Sequence, residues 1–254
     1  LEDALKQPSS KIFIGCDSRK AACNLFAQIK AWIKLQTNPT ILETQLLLYT
    51  SEDGDKLDLN NVNSVWAPAK VVICSPTIVY GVDYSNHDHP FTTVFGFYKQ
   101  QGRTLSAEKI RQQLRRCRVI SMLPNQSFHV FVFILTLPPR NVEEIENFKF
   151  LFPTSAPLVR QRLHEICSGY RSEIEKIIPV VVDGTGNIEL LHDPLTELYI
   201  EVIRKRNLSK NNLQKMLEQL LIFENHNISF EPFPKKQTRK QKKDSNHPIW
   251  NTEK

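Results

Sequence analysis

The chain has no apolar run approaching the ~20 residues that a membrane span needs, and no charged-then-apolar start of secretory type. None of its eight glycines falls in a Gly-x-x-x-x-Gly-Lys-Ser/Thr pattern, so it lacks the loop whose backbone N–H groups wrap a nucleotide's phosphates. Adjacent Asp-Glu after a strand, the pair that would hold Mg²⁺ and a water, is missing too. Cys16, Cys23, Cys74, Cys117 and Cys167 form no Cys-x-x-Cys pair and are odd in number, which argues against a zinc ribbon or a disulfide framework. Reduced thiols in an intracellular compartment are the expectation. The first residue is Leu rather than Met, so the chain reads as a piece of a longer protein. Charge of one sign is also scarce in the body. Residues 235–254 hold seven Lys/Arg against Asp244 and Glu253, so most of the formal +6 lies in this tail. Lys235 to Lys243 reads as a solvated basic tail, with a phosphate-binding or nuclear-targeting segment as the lesser reading.

What is present alternates. Lys11 to Cys16 reads as a short buried strand. Ser18 can cap a following helix that buries Ala22, Phe26, Ile29 and Ile33 at helical spacing. Residues 40–49 form a second strand candidate and Asn60 to Trp66 a short helix stopped by Pro68. Val71 to Cys74 and Thr92 to Tyr98 are further strands, their aromatics read as core. Ser106 stands where a cap for the next helix belongs, with Glu108 in its first turn complementing the dipole. Ile110, Leu114 and Cys117 then share the face that packs on a sheet; Gln112 and Arg116 share a second, and Arg111 and Arg115 a third. Ser127 to Leu137 is the strongest strand of all. This alternation predicts an α/β layer with a mostly parallel sheet over residues 1–139. A mainly helical extension follows over 140–234, with helices at 141–150, 156–177, 193–206 and 209–223, and the tail occupies 235–254. Asp183-Gly-Thr-Gly186 reads as a hairpin turn rather than a protease motif. His87-Asp88-His89 reads as a polar loop rather than a metal site, and His129 as a hydrogen-bonded core or edge histidine.

Four ordered segments within residues 10–137 carry a resemblance. Ile12-Phe-Ile-Gly-Cys-Asp-Ser18-Arg-Lys resembles helicase motif IV. Tyr49-Thr-Ser51, followed by Val65-Trp66, resembles the connecting motif. Ser75-Pro-Thr-Ile-Val-Tyr-Gly81-Val-Asp83-Tyr resembles motif V, and Gln112-Gln-Leu-Arg-Arg116-Cys-Arg118 resembles motif VI. Together they resemble the C-terminal RecA-like lobe of superfamily 2 helicases, nearest to the replication origin-binding helicases of herpesviruses and related viral or mobile-element proteins.

The resemblance implies a RecA-like parallel sheet flanked by helices, in the second motor lobe of an ATP-dependent DNA helicase. It implies that Ser18, Ser51 and Ser75 or Thr77 contact the phosphate backbone of one strand. Gly81 would allow the turn, and Asp83 would contact the nucleotide ribose or couple the two sites. Gln112 would stand near the nucleotide, with Arg116 and Arg118 on its γ-phosphate. The implied cofactor is ATP with Mg²⁺, bound mainly by an N-terminal lobe outside this chain. The implied partners are that lobe and single-stranded or duplex DNA, with RNA left open and no membrane. A nucleus or a viral replication site would suit that role. The common motif has Gly where Arg115 stands, and its last arginine falls where this chain has Val119. The closer spacing of the origin-binding type favours Arg118. In an unbroken helix Arg116 and Arg118 lie about 200° apart, so both reach one phosphate only if the helix ends near Arg116. Lacking the phosphate loop and the Asp-Glu pair, the chain is expected to be inactive alone. The competing expectation is a non-catalytic α/β nucleic-acid-binding or scaffold module, with the arginines a solvated or nucleic-acid-facing patch.

Overall fold

The computed structural model describes residues 1–52, 59–78, 82–99, 105–117, 129–135, 152–169, 180–182, 184–185, 188–224 and 228–229. Its centre is a five-stranded sheet made from β1 (Ile12–Cys16), β2 (Leu46–Tyr49), β3 (Val71–Cys74), β4 (Thr93–Lys99) and β5 (His129–Leu135), in the order β2-β3-β1-β4-β5. Every neighbouring pair is parallel. β1 and β3 are buried at every position, as continuous apolar runs in the middle of a parallel sheet must be.

Helices cover both faces. On one side α1 (Glu2–Lys6) and α2 (Arg19–Leu35) bury Leu5, Ala22, Ile29, Trp32 and Ile33 against Ile12, Ile14, Val71, Ile73 and Phe95. On the other, α3 (Val62–Val65) and α4 (Ala107–Leu114) close over Phe13, Val72, Val94 and Tyr98, around a buried cluster of Trp66, Tyr84 and Phe91. Phe91 and Tyr98 are core residues on one face of the sheet and Phe95 on the other. This is an α/β architecture of RecA-like type with a mainly helical part after it.

That later part holds α5 (Ala156–Gly169), a hairpin of β6 (Val180–Val182) and β7 (Ile188–Leu190), α6 (Pro194–Asn211) and α7 (Leu213–Phe223). Val159, Leu163, Leu190 and Ile200 form a small core of their own. Leu213 and Leu217 of α7 instead join the core beneath α4. Among the described residues no helix is long and apolar enough to cross a membrane.

Several expectations need correction. Residues 40–49 are not one strand: a 3₁₀ turn at Glu43–Gln45, in which Gln45 Oε1 accepts from the Leu42 N–H (3.1 Å), delays β2 to Leu46. Ser106 occupies the cap position of α4 without a side-chain bond to it. The cap comes from Ser209, whose Oγ accepts from the Ala107 N–H at 2.8 Å. Ser209 therefore does not start the last helix. It lies in the last turn of α6, and α7 begins after Asn212. The helix expected at 141–150, residues 170–177 of the next one, the side chain of His129 and the basic tail lie outside the described residues.

Candidate functional site

The hydroxyls singled out in the sequence fall at the carboxyl ends of three adjacent strands, where parallel α/β sheets bind ligands. Ser18 follows β1 and caps α2, its Oγ accepting from the Ala21 N–H at 3.2 Å. Ser51 follows β2 by two residues and is exposed. Ser75 follows β3, bonded through its N–H to Tyr49 O (2.9 Å); its buried Oγ lies 3.0 Å from Oγ1 of the exposed Thr77. Because the sheet order is β2-β3-β1, Ser51, Ser75 and Ser18 come in that order along one edge. An ion pair of Arg19 with Glu52 joins the start of α2 to the segment after β2. Asp17 accepts from the Lys99 N–H (2.8 Å), and burial raises its carboxyl above the usual range.

One side chain ties this edge to α4, and it is Gln113 rather than Gln112. Gln113 is fully buried. Its Nε2 donates to Ser75 O (2.9 Å), Cys74 O (3.4 Å) and Cys16 O (3.5 Å). Its Oε1 accepts from the Tyr98 hydroxyl at 3.0 Å. Burial pushes that phenol up, so it remains a donor and fixes the amide's orientation. The ends of β1, β3 and β4 thus meet on one glutamine. The signal for it was available: Ile110, Gln113, Leu114 and Cys117 follow i, i+3, i+4 and i+7, so a polar residue occupies the buried stripe of an amphipathic helix.

The arginine segment is organised separately. α4 ends at Leu114 and Arg115 caps it, so Arg116 is already out of the helix. The Tyr84 N–H donates to Arg116 O (2.9 Å), and Tyr84 pairs with Cys117 as an isolated parallel bridge. Arg116 Nη1 donates to Val82 O (2.9 Å) and Nε to Gln112 O (3.0 Å). The residues after Gly81 and those at the end of α4 are therefore strapped together, with exposed Asp83 beside the strap. Gln112 Oε1 is buried with no donor among the described residues. Gly81 and Arg118 lie outside the described residues. Arg111 and Arg115 are held elsewhere, both donating to Glu224 at the end of α7 (2.7 and 2.8 Å).

The chemistry of the remaining candidates is plain. Cys16, Cys74 and Cys117 are buried free thiols; burial pushes Cys16 up to about 12 and raises Cys74 and Cys117 well above the ordinary thiol range, so they stay protonated and act as small apolar residues. His87, Asp88 and His89 sit in an exposed turn closed by Asn86 Oδ1, which accepts from the Asp88 and His89 N–H groups. Among the described residues no three His, Cys, Asp or Glu side chains could hold a metal ion.

A parallel α/β lobe with hydroxyls at its carboxyl edge and an arginine-ended helix beneath it defines a class of fold. No family model matches the chain. Parts of it are similar to viral proteins. Over 82 residues it is 33% identical to a "Putative replication origin-binding protein" of Acanthamoeba polyphaga mimivirus, covering 32% of this chain and 10% of that protein. Over 111 residues it is 27% identical to the "Uncharacterized putative helicase R8" of the same virus, covering 43% and 10%. Over 163 residues it is 24% identical to a "Putative helicase/primase complex protein" of African swine fever virus (strain Badajoz 1971 Vero-adapted), covering 60% and 13%. The chain spans about a tenth of the length of these relatives.

Proposed function

We propose that this chain is the second motor lobe of an ATP-dependent DNA helicase of origin-binding type, acting in DNA replication within a longer protein. The observation that carries the reading is the link made by Gln113. It joins α4, which ends two residues before Arg116, to the edge that bears Ser18, Ser51, Ser75 and Thr77, so a change at one is felt at the other. The names of the viral relatives point the same way.

In this reading the hydroxyls at the carboxyl edge grip phosphates of one strand, a contact blind to sequence. Gly81 would allow the turn, and Asp83 would contact the nucleotide ribose or couple the two sites. Arg116 and Arg118 stabilise the charge that develops on the γ-phosphate. The residues fit the phosphate and sugar end of ATP and not its metal. They offer the Arg116 guanidinium and the acceptor Gln112 Oε1, which has no donor among the described residues, while the described residues hold no metal-binding cluster. Bound ATP would supply the phosphoryl transfer, and its Mg²⁺ would be held by the N-terminal lobe.

In the complete protein, Arg116→Ala and Arg118→Ala are each expected to keep ATP binding and to lower strand-stimulated hydrolysis by ~10³-fold or more. Near-wild-type turnover in both variants would sink the motor role. The rival reading, a non-catalytic nucleic-acid-binding or scaffold module, is favoured by one observation: the Arg116 guanidinium already donates to Val82 O and Gln112 O, as a purely structural arginine would. Under that reading Arg116→Ala lowers stability and leaves any hydrolysis per folded molecule unchanged.

A further inference from the structure

We infer that Glu224, at the end of α7, is a positioning residue for Arg116, so that the helical part of the chain sets where the arginine segment stands. That Arg116 acts on ATP rests on the reading given under Proposed function; that Glu224 holds its segment does not.

One carboxylate oxygen clamps the last turn of α4. Glu224 Oε1 accepts from Arg111 Nη1 (2.7 Å) and from Arg115 Nη1 (2.8 Å). The two arginines stand at i and i+4, one above the other on one face, where like charges repel. A shared carboxylate turns that repulsion into attraction. The Glu224 side chain is only 12% exposed, and a charge so far from water is held by its ion pairs. Its place does not suit α7 itself. Glu224 caps the C-terminus of that helix, its N–H donating to Leu221 O (3.2 Å), and a negative charge there opposes the helix dipole. The acid works against α7 and serves α4. Leu213 and Leu217 dock α7 in the core beneath α4, so the carboxylate arrives on a helix that is fixed along its length.

The clamp ends one residue before Arg116. Arg115 closes α4 with its N–H on Arg111 O (3.1 Å), and the Arg116 N–H donates to Gln113 O (3.2 Å). The Arg116 guanidinium reaches back to Gln112 O, inside the turn that Arg111 and Arg115 span. From the sheet side, Val82 O and the Tyr84 N–H hold the same residue. Arg116 therefore lies between two anchors, the strap from Val82 and Tyr84 and the carboxylate from α7. Without Glu224, two cations repel each other on the last turn, which is the part of a helix that frays most readily. Gln112 O and Gln113 O then cease to be fixed acceptors, and Arg116 keeps only the strap.

The test is amide hydrogen exchange of the 254-residue chain, followed by NMR at Arg115, Arg116 and Tyr84, with buried Ile14 of β1 reporting the opening of the whole molecule. Glu224→Ala is expected to speed exchange at the first three by about tenfold relative to Ile14, as loss of a hydrogen-bonded ion pair on a local opening does. Glu224→Gln keeps an accepting oxygen and loses the charge. It should act in the same direction with a smaller effect, and it covers the case in which Glu224→Ala disturbs folding. Unchanged exchange at Arg115 and Arg116 in both variants would overturn the positioning role. So would faster exchange that Ile14 follows to the same extent, since that is what a merely structural brace gives. In the complete protein, Glu224→Ala should lower strand-stimulated kcat several-fold with the KM for ATP unchanged. If Arg116→Ala loses hydrolysis and Glu224→Ala keeps the wild-type kcat, the positioning role fails and the motor reading stands. If Arg116→Ala hydrolyses ATP normally while Glu224→Ala still frees the Arg116 amide, the motor reading fails and the positioning stands.

Discussion

At the carboxyl edge of the sheet the buried polar side chain is a neutral amide, whereas at the amino edge it is an ammonium. Gln113 holds the ends of β1, β3 and β4 through Ser75 O, Cys74 O, Cys16 O and the Tyr98 hydroxyl. Lys11, just before β1, donates from Nζ to Trp66 O (2.7 Å), the Tyr84 hydroxyl (2.9 Å) and Ala67 O (3.0 Å). The rings of Tyr84 and Phe91 lie 4.9 and 5.0 Å from the same nitrogen. Gln113 gathers backbone carbonyls left over at strand ends, and Lys11 those left over at the end of α3. An amide does so without burying charge. The ammonium does it at a desolvation cost that the aromatic faces offset only in part. Burial accordingly pulls Lys11 down to about 8. The Gln113 brace at the carboxyl edge, which bears the candidate site, is thus one that pH does not touch, and the Lys11 brace at the amino edge is not.

The largest effect should come from the amide. Gln113→Ala leaves three carbonyls and a phenol to find new partners, and we expect a loss of about 3 kcal/mol, from the ~1–3 kcal/mol of each buried polar group left unpaired. Urea unfolding of the 254-residue chain measures it. A loss below about 1 kcal/mol, the worth of a single ordinary hydrogen bond, would mean that the three strand ends do not depend on this residue.

Lys11 should break the comparison along the pH axis. Its folded-state value is lowered from 10.5 to about 8, so between those values the unfolded chain binds more protons than the folded one. Stability therefore rises as pH rises through this window, and the penalty is fully present below it. Lys11→Met removes the titrating group. The stability of wild type minus that of Lys11→Met should increase between pH 8 and 10.5, by roughly 2 kcal/mol once solvent relaxation is allowed for. Lys210, also pulled down to about 8 by burial beside Arg206 and Lys109, contributes the same slope to both proteins and cancels in the difference. A flat difference would show that Lys11 is not charged and buried at once.

The two edges also differ in how far the sequence discloses them. β1, β3 and β4 were legible because a central parallel strand is a nearly continuous apolar run. The positions of Ser18, Ser51 and Ser75 at one edge follow from that. β2 was overestimated because apolar residues on both sides, Ile41-Leu42 and Leu46 to Tyr49, flank residues 43–45, while a local side-chain bond from Gln45 decides for a 3₁₀ turn. Ser106 looks like a cap, and only the folded chain brings Ser209 to the same N–H from 102 residues away. The Arg111 and Arg115 pairs with Glu224 are equally non-local, which is why both arginines read as a wet helix face. Gln113 was hidden by its neighbour: the resemblance draws attention to Gln112, while the periodicity, followed strictly, marks Gln113 as the buried one.

The smallest effect tests whether the amide edge is built as a slot. Gly15 and Gly96 stand side by side in β1 and β4. A Cβ at Gly15 would lie 2.7 Å from the Tyr98 hydroxyl oxygen and 2.9 Å from Gln113 Oε1, and one at Gly96 would lie 2.5 Å from Tyr98 Cε2. The two glycines are there for space, so that the Tyr98 ring and the Gln113 amide can reach the carbonyls. Gly15→Ala should cost about 1–3 kcal/mol, as overpacking does. In the Gln113→Ala background one of the two obstacles is gone, and the same substitution should cost less by about 0.5–1 kcal/mol, the coupling expected of touching residues. Combined with Lys11→Met it should cost the same as alone. The two positions are four residues apart along one strand, about 13 Å, and share no partner. Equal costs of Gly15→Ala in wild type and Gln113→Ala would mean that the glycine serves something other than the amide. Coupling to Lys11 would mean that β1 transmits strain from one edge to the other, and the two edges would then have to be treated as one unit.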